Sequence, residues 1–458
     1  MQREEKKNQL HIVMFPWHAF GHISPFIQLS NKLSLHGLQI SFFSATGNIP
    51  RIKSSLNLLP NVQIIPLSIP DVPGLSPDLH NTSQMTPAMA ELLKQASDLM
   101  QPQIHDILSH LKPHFIIFDL ILDWIPKIAA ELGIKRISFS VFSAIAGAYL
   151  TVPARLISGH TLDDLTKPPD GFPATSVTCV KRFQARDFLY MFKSFDGRPG
   201  VFYRVIDCLR SCDAVAMKTC EEMEGPYVDF MKTQFQKPIH LTGPLVPDPL
   251  SGVLEEKWAN WLGQFPDKAV VFCSFGSETF MNQEQIREIA LGLELTGSPF
   301  FLVLNFPGGV DGLAELEKAL PKGFVERVKG KGLVHVGWVP QQLILAHKSV
   351  GCYVCHSGFS SVIEALMNDC RLVLLPFKGD QFLNSKLIAL DLKAGVEVNR
   401  EEEEGYFGKE DICEAVKTAM ADDGSIKENH EKWREFLVNE EIHKKFIADL
   451  VEQMKAML

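Results

Sequence analysis

Residues 338–381 read WVPQQLILAHKSVGCYVCHSGFSSVIEALMNDCRLVLLPFKGDQ. Within this stretch an apolar run, Val350 to Cys355, meets His356, then the short Ser357-Gly358-Phe359-Ser360-Ser361, then an apolar-periodic segment ending near Met367. That order predicts a buried strand, a tight turn and a helix start. A helix start offers unpaired backbone N–H groups and the positive end of the dipole, so a phosphate would sit well there. Glu364 lies two turns up the same helical face as Ser357, where its carboxylate can accept from hydroxyls of whatever carries the phosphate. Trp338 offers an aromatic plane upstream. Asp380-Gln381 follow the predicted strand Arg371–Leu375, at the carboxyl edge where open α/β sheets bind ligands. Aromatic plane, phosphate turn, diol acceptor and polar pair together outline a nucleotide-sugar.

Working outward, strand, loop and helix repeat along the chain. His11–Phe15 reads as a strand, Pro16–Gly21 as a loop, and Ile23–His36 as a helix with Ser24 and Pro25 at its start and Gly37 just past its end. Further strands are predicted at Gln39–Phe43, Val62–Pro66, His114–Phe118, Arg136–Val141, Ala214–Met217 and Ile239–Leu241. Residues 155–200, rich in Pro, Gly and Phe without a clear period, read as loops or short helices over a cleft. Gly243–Gly252, GPLVPDPLSG, is the linker candidate. A second series then follows at Ala269–Phe275, Phe300–Leu304, Leu333–Gly337, Val350–Cys355 and Arg371–Leu375. Glu401–Glu404 reads as a solvated acidic loop and Glu440–Met457 as a closing helix. Strands separated by helical stretches imply right-handed crossovers, so the fold class is α/β, with two doubly wound domains facing a cleft.

Composition narrows the function. With 458 residues and 46% apolar content the chain can bury two ordinary cores. Its net charge of −9 leaves no basic stripe for a polyanion, which argues against nucleic acid as a partner. The nine cysteines are an odd number scattered through apolar segments, which suits a reducing cytoplasmic setting better than a disulfide framework. Met1 to Leu10 is polar, without an apolar signal region, and no run of 18 apolar residues occurs, so no membrane span is predicted. Asn81-Thr82-Ser83 matches a glycosylation sequon and, without a secretory signal, is read as chance. Cys352-Tyr353-Val354-Cys355-His356 spells the c-type haem attachment pattern, but cysteines in a central apolar strand behave as small buried hydrophobes.

The 338–381 stretch resembles the donor-binding box of plant family 1 UDP-glycosyltransferases, at full length and without a gap. The resemblance implies a GT-B fold and assigns roles. Trp338 stacks on uracil, the Val339 backbone bonds its edge, and Gln341 and Glu364 hold the ribose. His356, Gly358 and Ser361 take the pyrophosphate, and Asp380 and Gln381 grip the sugar. Where the family usually has Cys-Gly-Trp-Asn-Ser after the box histidine, this chain has Ser357-Gly358-Phe359-Ser360-Ser361. Phe359 would still contact the sugar through its backbone; Ser360 is shorter than Asn by an amide, which implies weaker donor binding and unchanged chemistry. Ser277, in Ser274-Phe275-Gly276-Ser277, resembles a second phosphate contact. The domains follow as an acceptor-binding unit at 1–242, a linker at 243–262, a donor-binding unit at 263–438, and a helix at 439–458 crossing back to the first.

Glycosyl transfer needs a base for the acceptor proton and a cationic or dipolar setting for the leaving diphosphate. His22 lies where the first strand's loop meets a helix, and Asp119 ends the run Phe115-Ile116-Ile117-Phe118, at the same sheet edge. A carboxylate on one imidazole nitrogen fixes the tautomer and stabilises the imidazolium. A strand-end histidine is as readily a capping or loop residue, but PWHAFGHISPF and FDLILDW carry the family's catalytic pair at these positions. His18 is read as pocket lining, and Asp123 as a cap for a helix near Trp124. No H-E-x-x-H or Asp-x-Asp pattern presents a metal site, so no metal and no cofactor are expected beyond the UDP-sugar co-substrate. Charge on the leaving UDP falls to helix dipole, hydroxyls and His356. By resemblance the transfer inverts the anomeric centre, giving a β-glycoside from an α-linked UDP-sugar. By the same resemblance Gln381 implies glucose as the donor sugar, with xylose or rhamnose open. FPWHAFGHISPF, LSNKL, LGLELTG and EALMND resemble the branch that adds a second sugar to flavonoid or anthocyanin glycosides, so the small-molecule acceptor is the sugar of a flavonoid 3-O-glycoside. A terpenoid or other glycoside or aglycone is the alternative. Of other classes, a nicotinamide oxidoreductase lacks its G-x-G-x-x-G after the first strand. A non-catalytic nucleotide-sugar-binding protein would leave His22 and Asp119 unexplained.

Overall fold

The computed structural model describes residues 9–247, 252–421 and 424–458. Two all-parallel sheets carry the fold. In the first, β1 (His11–Phe15), β2 (Gln39–Ala45), β3 (Val62–Leu67), β4 (Phe115–Asp119), β5 (Lys135–Ser140), β6 (Ala214–Met217) and β7 (Ile239–Leu241) stand in the order β3-β2-β1-β4-β5-β6-β7. In the second, β8 (Val270–Ser274), β9 (Phe300–Leu304), β10 (Gly332–Val336), β11 (Val350–Cys355), β12 (Arg371–Leu374) and β13 (Gly395–Glu397) stand as β10-β9-β8-β11-β12-β13. Each order reverses once, between β1 and β4 and between β8 and β11. Those reversals leave the crevices in which doubly wound sheets bind ligands.

Burial on both faces explains the continuous apolar strands. In β1, Val13 and Phe15 join the core on one side while Ile12 and Met14 join that on the other. Cys352 and Cys355 likewise lie on opposite faces of β11, fully buried and free, so the haem-like pattern is two core positions of one strand. Among the described residues all nine cysteines are unpaired.

Three differences from the sequence reading have local causes. The first helix runs Phe20–Leu35, starting before Ile23, because extended Ala19 ends the loop and its carbonyl accepts from His22 and Ile23. Pro25 therefore lies inside the helix, where its missing N–H deprives only the exposed Gly21 carbonyl. The Asp123 carboxylate does not cap the Ile125–Glu131 helix; it accepts two bonds from buried Arg204 at 2.9 and 2.7 Å. The Glu401–Glu404 loop is exposed, as the sequence reading expects, and Glu403 pairs with Arg182 and Glu404 with Arg186. Strand β13, three residues long, is too short to show a period.

Residues 155–200 form short helices, Ala154–Ser158, Leu162–Leu165 and Arg182–Phe188 among them. Of the predicted linker, residues 248–251 lie outside the described residues. At its start Gly243 (φ 71°) passes so close to Phe446 that a Cβ would lie 2.5 Å from the ring. The Glu440–Ala456 helix buries Ile447, Leu450, Val451 and Met454 in the same core as Ile12, Met14 and Phe42 of the first sheet.

Candidate active site

His22 and Asp119 meet at the first sheet's reversal. Asp119 is the last residue of β4, and its carboxylate is fully buried. Its Oδ2 accepts from the Trp17 backbone at 3.3 Å and lies 2.7 Å from His22 Nδ1. That bond turns Nε2 of the His22 ring outward as the nitrogen left for a proton. Phe142 packs edge-on against the imidazole, centroids 5.2 Å apart. Burial pulls the His22 pKa down, but the Asp119 carboxylate, with Glu278 and Asp380 further off, outweighs it and raises the pKa above 6.5. His18, in contrast, is buried with Nε2 unpartnered, and burial with His80 nearby lowers its pKa to about 4.

The second reversal carries the turn expected to meet a phosphate. After β11 the chain passes His356, Ser357 in a left-handed conformation (φ 63°) and Gly358, the N-cap of the Phe359–Met367 helix. Ser357 Oγ and His356 Nδ1 are buried without a partner. Glycines let the imidazole approach: a Cβ on Gly358 would lie 2.6 Å from His356 Nε2, and one on Gly276 2.9 Å from its Cε1. Burial, helped by Lys378, lowers the His356 pKa to about 4, so the ring is neutral and can donate a hydrogen bond but no charge. Ser277, after β8 and Gly276, is exposed beside this turn.

A cleft of about 870 Å³ adjoins the turn, lined by Trp338, Val339, Gln341 and Glu364 from the second lobe and Phe20, Asn31 and Arg51 from the first. Trp338 is 71% exposed, leaving an indole face open to stack on a base. The Val339 carbonyl accepts from the Gln341 N–H at 2.9 Å. Glu364 is held by Gln341 Nε2 at 2.8 Å and Gln342 Nε2 at 3.1 Å, and Gln341 Oε1 accepts from Tyr353 OH at 2.8 Å. Gln341 also reaches Ser361 Oγ at 3.3 Å. Its amide is thus committed to orienting the carboxylate that faces the cleft. Burial raises the Glu364 pKa, opposed by those two amides and by Lys218.

At the far edge Asp380 accepts from Asn384 Nδ2 at 2.9 Å, and the same amide donates to the Ser357 carbonyl at 3.0 Å. Burial raises the Asp380 pKa, with Asn384 and His22 opposing. Gln381 spends its side-chain carbonyl on the backbone N–H groups of Phe377 (3.0 Å) and Lys378 (3.2 Å), leaving its amide N–H groups for a ligand.

The family described as UDP-glucoronosyl and UDP-glucosyl transferase matches residues 197–436, more than half the chain. The chain belongs to it. A relative from Petunia hybrida named anthocyanidin-3-O-glucoside rhamnosyltransferase is 58% identical over 100% of this chain and 99% of its own length. UDP-glycosyltransferase 79A6 of Glycine max is 56% identical, over 98% of each chain. The crystal structure of Medicago truncatula UGT71G1 complexed with UDP-glucose superposes with a TM-score of 0.77 at 20% identity, over 99% of this chain and 100% of that one, which shows the common GT-B fold.

In this UDP-glycosyltransferase several residues escaped the sequence reading because Lys218, Glu278 and Ser143 act across the lobes and Glu224 acts through partners 79 and 80 residues away. Lys218, the residue after β6, is 1% exposed and donates from Nζ to Ser360 Oγ at 2.6 Å. Glu278 follows Ser277 and accepts from Thr82 Oγ1 at 2.5 Å, tying the 70–90 loop of the first lobe to the second. Ser143 Oγ donates to Asn384 Oδ1 at 2.5 Å, and so supports the residue that holds Asp380. Glu224 accepts from the N–H groups of Ala144 (3.0 Å) and Ile145 (2.9 Å), stopping the start of their helix, and from Thr219 Oγ1 at 2.6 Å. No periodicity marks such positions; a lysine directly after a buried strand was the one readable signal.

Proposed function

We propose that this transferase moves a sugar from a UDP-sugar to a hydroxyl of the sugar of a flavonoid 3-O-glycoside, with inversion and without a divalent cation. The observation that carries the reading is the 2.7 Å pairing of His22 with buried Asp119, beside a cleft whose second-lobe wall carries Trp338, Gln341 and Glu364. His22 Nε2 takes the acceptor proton, and the acceptor oxygen forms its bond to the anomeric carbon from the side opposite the diphosphate. The bond from that carbon to the β-phosphate oxygen breaks with both electrons, UDP leaves, and Asp119 stabilises the imidazolium. Trp338 and the Val339 backbone hold the uracil, and Gln341 and Glu364 the ribose. Ser277, His356, Gly358, Ser360 and Ser361 meet the diphosphate, and Phe359, Asp380 and Gln381 the donor sugar. The domain spans 1–242, 243–262, 263–438 and 439–458 are the units we assign. The packing of the last helix on the first sheet supports that division.

The donor moves from glucose toward rhamnose on one ground: the Petunia relative, 58% identical, is named as a rhamnosyltransferase. The same name makes a flavonoid-class 3-O-glucoside the first acceptor to test. We place the protein in the cytosol. Nine unpaired cysteines, eight of them buried, suit a reducing compartment, and no helix among the described residues is long and apolar enough to cross a membrane.

The test is incubation with UDP-rhamnose, UDP-glucose or UDP-xylose against quercetin and its 3-O-glucoside, with and without excess chelator, read by product mass. Rhamnose added to the glucoside, unaffected by chelator and reduced at least about 10²-fold in His22→Ala, is expected. Absence of product with every pair, or a His22→Ala variant keeping more than about a tenth of the activity, refutes the reading.

A further inference from the structure

We infer that Lys218, contributed by the acceptor-binding lobe, is a diphosphate-binding residue that works with Ser360 and takes charge developing on the departing UDP. The inference rests on the donor site proposed above and deepens it.

Lys218 lies at the carboxyl end of β6, in the lobe opposite the phosphate turn. Its position is tight: its backbone N–H donates to Ser140 O at 3.1 Å, and its neighbour Thr219 is held by buried Glu224. From there the side chain crosses to the first turn of the Phe359–Met367 helix. It is 1% exposed, its Nζ donates to Ser360 Oγ at 2.6 Å, and it lies 5.9 Å from the centroid of the Phe359 ring. An ammonium has three N–H groups, and Ser360 is its one hydrogen-bond acceptor among the described residues. A neutral hydroxyl and a ring face are poor compensation for a buried cation. Glu364, on the same helix, adds attraction but no hydrogen bond, and burial still lowers the lysine pKa to about 8.

What completes such a site is an anion with several oxygens. Two further atoms point to the same occupant: Ser357 Oγ and His356 Nδ1, buried and unpartnered on the same turn. The helix N-terminus provides dipole and N–H groups, and His356, held neutral, provides no charge. Lys218 is therefore the buried cation of this turn; Lys378, which also acts on His356, is exposed and donates to the Glu278 carbonyl at 3.0 Å. Its place also accounts for Ser360. A side chain longer by an amide would occupy the space through which the ammonium reaches the helix, so serine and lysine together do the work of one longer donor. Weaker donor binding, implied by Ser360 taken alone, no longer follows once Lys218 is counted.

Titration calorimetry of the full chain with UDP and with uridine tests this. For Lys218→Met, UDP affinity is expected to fall about 10- to 100-fold, the scale of one charge-assisted hydrogen bond, while uridine affinity changes less than about 3-fold. Lys218→Arg, which keeps the charge, is expected to retain most of the UDP affinity, and kcat of Lys218→Met at saturating donor falls as well. UDP binding by Lys218→Met within about 3-fold of the wild type overturns the inference, as does an equal loss of uridine. If the wild type itself binds UDP no better than uridine, the donor site falls first and this inference with it.

Discussion

Replacing Asp119 by Asn removes one charge and almost no volume, so its effect isolates what the carboxylate does for His22. The two side chains meet at 2.7 Å, with Asp119 fully buried and His22 16% exposed, so little solvent screens the pair. Two unit charges about 4 Å apart attract by about 4 kcal/mol at an effective dielectric near 20. A charge-assisted hydrogen bond contributes about 1.5–3 kcal/mol net. Only the part that grows as the imidazole becomes imidazolium lowers the barrier, so the two figures bracket a loss in kcat of about 10- to 10³-fold. Donor KM should hold, because Asp119 belongs to the other lobe. Folding should hold too, since an amide oxygen can still accept from the Trp17 N–H. The pH profile carries the sharper test. As a base His22 must be neutral, and its pKa lies above 6.5 against burial through Asp119, Glu278 and Asp380. Wild-type kcat/KM should therefore climb with pH through an acid limb above 6.5, and Asp119→Asn should move that limb to lower pH. A variant whose acid limb stays in place, or whose kcat falls less than about 3-fold, would show that Asp119 does not act through His22.

Trp338→Ala should weaken UDP by about 1–3 kcal/mol, or about 5- to 150-fold, with no change in melting temperature because the indole is 71% exposed; calorimetry and a thermal melt check both. Gly358→Ala places a Cβ 2.6 Å from His356 Nε2, so the ring must swing away, and steady-state kinetics should show kcat/KM for the donor reduced by up to about 10²-fold in a folded protein. Gly351 sits at the irregular register of β11, where a Cβ would lie 2.1 Å from the Lys268 carbonyl. The obstructing atoms are Lys268 backbone, which cannot swing aside as a side chain can, so Gly351→Ala should cost about 1–3 kcal/mol or more in denaturant unfolding.

What could be read from the sequence divides along a physical line. Strands β1, β4, β8 and β11 are buried on both faces, so each appears as a continuous apolar run, and the residue at its carboxyl end is a site candidate by position alone. Asp119 and His356 were legible for that reason, whereas His22 and Ser277, in the segments that follow β1 and β8, were singled out by the family resemblance. Strand order was not: only the pairing of β1 with β4 and of β8 with β11 shows that these ends share two facing crevices. Where the reading slipped, a local signal was outweighed by a neighbour. Ser24-Pro25 resembles a helix start, yet the Ala19 carbonyl had already begun the helix. Asp123 resembles a cap, yet Arg204 takes its carboxylate. The roles of Lys218 and Glu278 were illegible because their partners, Ser360 and Thr82, lie 142 and 196 residues away, although a lysine directly after a buried strand was a signal that could have been followed.

The charges these distant contacts assemble are arranged by sign. Around His22 stand Asp119, Glu278 and Asp380, a field that favours positive charge on the imidazole. Across the cleft stand the N-terminus of the Phe359–Met367 helix and the Lys218 ammonium, which favour negative charge. Glycosyl transfer as proposed moves a proton onto the first group and an electron pair toward the second, so charge separates in the direction this field supports. Because the donors and carboxylates are already in place before the reaction, little reorganisation is required as charge develops. The lobes are coupled by the same logic. Lys218 comes from the first lobe and reaches the turn of the second at Ser360, while Asp380 comes from the second lobe and raises the basicity of His22. Neither half of the field is whole until the lobes are apposed, so opening the cleft disarms base and leaving-group site together.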